Sequence, residues 1–255
     1  MTDITITTDA RGVVRVTLNR PGVHNAFNEG MIGELTDAFT DLGNQDGVRV
    51  IVLSSSGQSF SAGADLNWMQ RAAEQDTFAN TEDARALAKM FSILNACPKP
   101  VIGLVHGTAL GGGVGLVACC DIVIAAPDAQ FGLTEVRLGL IPAVIAPFVI
   151  AKIGASSARR YMLTGERFSA AEAHRLGLVH EVAAGLEAEA AKLIDAILAS
   201  GPEAIADAKD LVHDISAFKD RVDLTAQRIA QRRASDEGRE GIAAFLAKRK
   251  PSWAG

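Results

Sequence analysis

The stretch VIGLVHGTALGGGVGL, from Val101 to Leu116, sets the strongest limit on what this chain can fold into. Val101 to Val105 is an apolar, β-branched run that reads as a buried strand of parallel type. After Gly107-Thr108-Ala109-Leu110 come three consecutive glycines, Gly111 to Gly113, and then an apolar run from Val114 to Cys120 that reads as a short buried helix. Strand, glycine turn and helix N-terminus together leave backbone N–H groups unpaired and pointing one way. With no side chains between, a ligand oxygen can approach those groups, and the helix dipole favours negative charge there. A tight turn in which strand and helix simply pack together would use the same glycines. The spacing fits neither GxGxxG nor GxxxxGKS/T, which sets aside a dinucleotide or P-loop site.

The rest of the composition narrows the class. With 255 residues, 48% hydrophobic and 22% charged, the chain can bury a sizeable core as one domain with an appendage. Thirty acidic residues against 25 basic ones give a net charge of −5, so no basic footprint points to nucleic acid. No apolar run approaches the roughly 20 residues that would cross a bilayer. The polar start MTDITITTDARG lacks a signal-peptide core, and a cytoplasmic protein is expected. Cys97, Cys119 and Cys120 fit no disulfide or metal spacing. The adjacent Cys119 and Cys120, in an apolar helix, read as small core residues, and no metal is expected.

In chain order, Ile4 to Thr8 and Val13 to Leu18 alternate around a turn at Asp9–Gly12, a β-hairpin pattern. Asn28-Glu29 opens a helix with Met31, Ile32, Leu35, Ala38, Phe39 and Leu42 at helical spacing. Val48 to Leu53 is a second apolar strand, and Ser61-Ala62-Gly63-Ala64-Asp65 after it leads into a helix, with Asp65 at a cap position. Phe78 to Ala96 is a long helix closed by Pro98, and Asp121 to Ala125 is a further strand. Beyond Pro142 the pattern is helical with a break at Ile153-Gly154, and from Ser169 onward it is almost entirely helical. These spans predict an α/β fold of loosely repeated strand-strand-helix units over 1–200. A C-terminal helical region over 201–255 would have apolar faces that a symmetric partner could cover.

Two glycine-bearing loops thus follow apolar strands. Were those strands neighbours, the loops would lie together at the strands' carboxyl ends, where α/β proteins place ligands. Two N–H groups converging on one point make an oxyanion hole. The segments SFSAGADL, HGTALGGGVGL, CDIVIAAPDAQFGLTEVRLGLIP and LTGERFSAAEAHRLGLVHEV, with NRPGVHNAF and FLAKRKPSW at the two ends, resemble the crotonase superfamily of enoyl-CoA hydratases and isomerases. That resemblance implies a crotonase-like spiral of ββα units with a C-terminal trimerisation region, assembled as a homotrimer or a hexamer of two trimers. It also implies an acyl-CoA thioester as partner and no separate cofactor, since coenzyme A arrives as part of the substrate.

By the same resemblance, Ala64 and Gly112 would donate backbone N–H groups to the thioester oxygen as it gains enolate charge. Ala62, Asp65, Leu66 and Gly111 would line the substrate and CoA channel, and a substituent at Gly112 would intrude on the thioester oxygen. Hydratases of the family usually carry two glutamates, one three residues after the middle glycine and one after QFG. This chain has Gly115 at the first position and Glu135 at the second. Adding water needs a base for the water and an acid for the α-carbon, whereas one carboxyl group suffices to move a double bond.

Gly115 and the segment LTEVRLGLIPAVIAPFV resemble bacterial hydratases of 3-methylglutaconyl-CoA and its isohexenylglutaconyl relatives. The reading is therefore a hydro-lyase acting on a branched or methylglutaconyl-type acyl-CoA with Glu135 as the catalytic group. A Δ3,Δ2-enoyl-CoA isomerase, a thioester hydrolase and a catalytically degenerate acyl-CoA-binding protein are the alternatives. His106 at the strand end, Trp68 and Met69 read as pocket wall or core, Asp121 as structural, and Arg159 and Arg160 as a solvated helix face.

Overall fold

The computed structural model describes residues 2–217 and 235–253. The hairpin forms as expected, with β1 (Ile4–Thr8) antiparallel to β2 (Val13–Leu18). Helix α1 (Glu29–Asn44) starts on Asn28, whose side chain accepts from the Met31 N–H, and buries the six apolar residues picked out by their spacing. Strands β3 (Val50–Ser55), β4 (Val101–Val105), β6 (Ile122–Ala125) and β9 (Glu181–Val182) add in parallel to β2, giving the order β1-β2-β3-β4-β6-β9.

This sheet is covered on both faces, which is why its strands read as continuous apolar runs. Ile51 and Leu53 of β3 enter the main core, while Val50 and Val52 join Ile102, Leu104 and Ile124 on the opposite face. Ala190 and Ile194 of α7 (Leu186–Leu198) close that second face. The main core also takes Met90, Phe91 and Leu94 from α3 (Thr77–Asn95), which with α1 covers the first face.

A second, small sheet positions the candidate site, and it was not evident in the sequence. Strands β5 (Thr108–Leu110), β7 (Gln130–Gly132) and β8 (Arg167–Ser169) have three residues each, too few for an alternation to register. The units β4-β5-α4 and β6-β7-α5 each put their first strand in the large sheet and their second in the small one. Here α4 is Gly112–Cys119 and α5 is Ala146–Thr164. The expected break in α5 lies at Gly154, whose φ of 71° is outside the helical range.

After Ser169 the described chain is mostly helical, as expected, and the exception is β9, a two-residue strand bonded beside β6. Helices α6 (Ala170–Leu176), α8 (Pro202–Ala217) and α9 (Asp236–Leu246) complete the described chain. Residues 218–234 and 254–255 of the expected C-terminal region lie outside the described residues. Lys209 of α8 ties that helix to the core through Asp121, Nζ to Oδ2 at 2.8 Å. Asp121 also accepts the Val101 N–H, so it is structural as expected.

Candidate active site

The first loop leaves β3 and is laced to the small sheet. The Ser61 N–H donates to the Thr108 carbonyl at 3.0 Å, and the Leu110 N–H donates to the Ser61 carbonyl at 2.9 Å. On the loop's other side the Phe27 N–H donates to the Gly63 carbonyl, and the Asp65 N–H donates to the Phe27 carbonyl. Ala64 sits between those two bonds, and in extended backbone its N–H faces the other way. Among the described residues it has no protein acceptor. Gly63 has φ 88°, and a Cβ there would stand 2.9 Å from the Leu110 carbonyl oxygen. Glycine is what lets the two loops touch.

The second loop begins at Gly111, with φ 49° and ψ −116°, whose N–H donates to the Gly132 carbonyl of β7 at 2.9 Å. Gly112 is the first residue of α4, so its N–H has no carbonyl one turn back to bond to. Gly113 packs so closely that a Cβ would lie 2.7 Å from the Ser61 carbonyl oxygen. Ala64 and Gly112 are half-buried while Gly63, Asp65, Gly111 and Gly113 are buried. The two free donors are therefore the partly open points of two closed loops.

Gly111 and Gly112 have different protein neighbours. A Cβ on Gly112 would stand 3.0 Å from Cε2 of Phe27, so a substituent there strikes that ring. The glycine facing the acid is Gly111, where a Cβ would stand 3.0 Å from Oε1 of Glu135.

Glu135 opens a 3₁₀ turn, Glu135–Leu138, three residues past the end of β7. The turn is closed by Gly139 at φ 71°, whose N–H bonds back to the Glu135 and Val136 carbonyls. Since β7 pairs with β5 in parallel (Ala109 beside Phe131, Leu110 beside Gly132), the small sheet carries Glu135 to the glycine loop. Its Oε2 is buried without a hydrogen-bond partner among the described residues. Burial raises its carboxyl above the ordinary value.

The remaining residues singled out in the sequence fall into place around this centre. Asp65 caps α2 (Leu66–Glu74), accepting from the Asn67 N–H, and its Oδ2 takes a 2.9 Å bond from Arg20 Nη2. Burial pushes its carboxyl up, but Arg20 and the N–H groups of Asn67 and Trp68 outweigh that and hold it below the usual range. Ala62 is half-buried, with its N–H on the His24 carbonyl, and Leu66 is 78% exposed. Gly115 is buried inside α4.

Trp68 packs against the core with its indole N–H buried. Met69 is half-buried. His106 bonds through Nε2 to the Gly57 carbonyl and is only half-buried, so it does not fill the core. Arg160 pairs with Glu166 on an exposed surface, and Arg159 is exposed. Cys119 and Cys120 are buried, and burial pushes the Cys120 thiol up to about 12.

Sequence reasoning missed the support beneath the loops. Asn25, fully buried with φ 53°, donates to the Ser56 and Ser59 carbonyls and accepts the Arg20 N–H. Arg20 and Asn25 belong to the segment NRPGVHNAF. Its polar residues beside a proline and a glycine were the available signal.

Comparison with known proteins follows the same lines. The sequence profile of the family described as Enoyl-CoA hydratase/isomerase matches residues 8–255. The chain belongs to the enoyl-CoA hydratase/isomerase family. The crystal structure of an enoyl-CoA hydratase from Shewanella pealeana is 43% identical and superposes with a TM-score of 0.96, covering 98% of this chain and 96% of that one. An enoyl-CoA hydratase from Mycobacterium smegmatis is 32% identical with a TM-score of 0.94, each chain covered in full. The 2,3-dehydroadipyl-CoA hydratase of Escherichia coli K12 is 34% identical over 248 residues, 95% of each chain. The fold is the crotonase fold, and the chain is an enzyme of the hydratase/isomerase family, whose substrates are acyl-CoA thioesters. Among the described residues no helix is long and apolar enough to cross a membrane.

Proposed function

We propose that this protein adds water across the α,β-double bond of a branched or methylglutaconyl-type enoyl-CoA, with Glu135 performing both proton transfers. The observation that carries the reading is the half-buried Glu135 against Gly111, its Oε2 enclosed and unpartnered among the described residues, beside two loops whose Ala64 and Gly112 N–H groups have no acceptor among those residues. Those N–H groups hold the thioester oxygen. Glu135 takes a proton from water as the hydroxyl adds to the β-carbon, and the electron pair moves onto the thioester oxygen as an enolate. The enolate then collapses as Glu135 returns the proton to the α-carbon, which balances the addition. A raised carboxyl is suited to this exchange, because it gives and takes a proton nearer neutral pH. Ala62, Asp65, Leu66 and Gly111 border the CoA channel in this reading. The C-terminal helices join the subunits into a trimer or a pair of trimers.

The acyl class rests on the likeness of the Gly115 and LTEVRLGLIPAVIAPFV pattern. One observation favours a second reading, the isomerase. A Cβ on Gly115 would stand 2.5 Å from Ile145 Cγ2, so there is no room for a second carboxylate, and shifting a double bond needs only one. Incubation with a panel of unsaturated acyl-CoA esters, followed by product mass, decides among the readings. Gain of one water from branched or methylglutaconyl esters is the expected result. An unchanged mass with a moved double bond replaces the hydratase with the isomerase. Free CoA indicates a hydrolase, and no product from any ester leaves a binding protein.

A further inference from the structure

We infer that Ile145 and Phe91 fix this site at a single carboxylate, by filling the space through which a side chain at position 115 would extend. The inference rests on the reading of Glu135 as the acid–base group. Position 115 lies in α4 three residues after Gly112, on the helix whose N-terminus bears that free donor. A Cβ there would stand 2.5 Å from Ile145 Cγ2 and 2.9 Å from both Cε1 and Cζ of Phe91.

Neither neighbour can step aside cheaply. Cγ2 of Ile145 is attached directly to that residue's Cβ, and Ile145 is the buried residue that opens α5. The Phe91 ring is fully buried and flanked by two more rings. Phe27 packs edge-on with centroids 6.3 Å apart, and Phe148 is tilted at 6.0 Å. Interiors at this density do not absorb an added methyl without shifting their neighbours.

The glycine is therefore one half of an exchange whose other half is Ile145, at the N-cap of α5, with Phe91 of α3. Restoring a glutamate at 115 alone cannot rebuild a two-carboxylate site. Removing the Ile145 methyls relieves the closest of these contacts and leaves volume into which the Phe91 ring can shift. Phe91 and Ile145 act by exclusion and are packing determinants of the reaction, without a role in proton transfer.

The test compares Gly115→Glu, Ile145→Ala and their combination, each with and without Glu135→Gln, by Tm and by the pH profile of kcat/KM. Gly115→Glu alone is expected to lose folding or activity. The combination is expected to regain at least half of the lost Tm, to add a second ionisation to the profile, and to keep turnover when Glu135 becomes Gln. A Gly115→Glu protein with the parent's Tm and a second ionisation while Ile145 is still present would overturn the inference.

Should the glutamate variants fail to fold, Gly115→Ala serves instead. Its Tm is expected to fall by roughly 3–10 °C and to recover in Gly115→Ala with Ile145→Ala. A Gly115→Ala protein as stable as the parent overturns the inference. Failure of the acid–base reading shows separately, as a Glu135→Gln variant of the parent that still turns over.

Discussion

Two carboxylates border the same pair of loops, and the protein treats them in opposite ways. Asp65 is buried and saturated: Arg20 donates to one oxygen, the Asn67 N–H donates to the other, and the group is held in its charged form. Glu135 is half-buried, with one enclosed oxygen that has no partner among the described residues, so burial disfavours its charged form. A saturated carboxylate serves structure, because giving up its hydrogen-bond donors costs stability. An unsaturated one has nothing to lose by exchanging a proton with a substrate. The same contrast separates the two glycine loops' donors from their neighbours, since Gly63, Asp65 and Gly111 spend their polar groups on the fold while the Ala64 and Gly112 N–H groups do not.

The contrast breaks most visibly at Glu135. Glu135→Gln keeps the volume and removes the exchangeable proton, so turnover should fall by about 10²–10⁴-fold or more if both transfers use this group. Binding of a saturated acyl-CoA, measured alongside by calorimetry, should change little. A Gln variant above about a tenth of the parent rate would move the chemistry to another residue.

Asp65→Ala should do the reverse. Losing the cap and an ion pair whose side chains are 17% and 7% exposed should cost about 2–3 kcal/mol in chemical unfolding. That figure is kept below a fully buried pair's because Asp3 also lies 3.4 Å from Arg20. Asp65→Asn, which can still cap, should recover part of the loss. A variant as stable as the parent would show that Arg20 and the cap add nothing.

How much of this was legible follows from length scales. Helices and the buried strands carry their own pattern over five or more residues, so β4, α1, the Asp65 cap and the Gly154 break could be read directly. Strands β5, β7 and β8 have three residues each and form only because the large sheet brings them together, so the element that delivers Glu135 was invisible in the sequence. Register after QFG, known through family likeness, pointed to Glu135 where physical pattern would have left it a solvated turn residue. The direction of each glycine was likewise out of reach. Which of Gly111 and Gly112 faces the acid depends on a φ of 49° at one residue and on the Phe27 ring, which is 85 positions away from Gly112 in the chain.

The smallest effect sharpens the comparison furthest, because the two carboxylates predict opposite slopes of stability against pH. The Asp65 carboxyl is lowered on folding, so its contribution is present above its unfolded value and is lost as pH falls through its folded one. The Glu135 carboxyl is raised above 4.5 on folding, so the folded state favours its protonated form. Its contribution is fully present below 4.5 and is lost as pH rises through the folded value. Glutamine does not titrate and escapes that loss. Glu135→Gln should therefore match the parent in acid and become the more stable protein as pH rises toward neutrality, read as a Tm difference that widens between pH 4 and 8. Asp65→Asn should show the opposite trend, with its deficit largest at neutral pH and closing in acid. A Glu135→Gln protein less stable than the parent at neutral pH would mean that the carboxylate has a partner in the folded state. It would then be a structural group like Asp65, and the distinction between the two would fail.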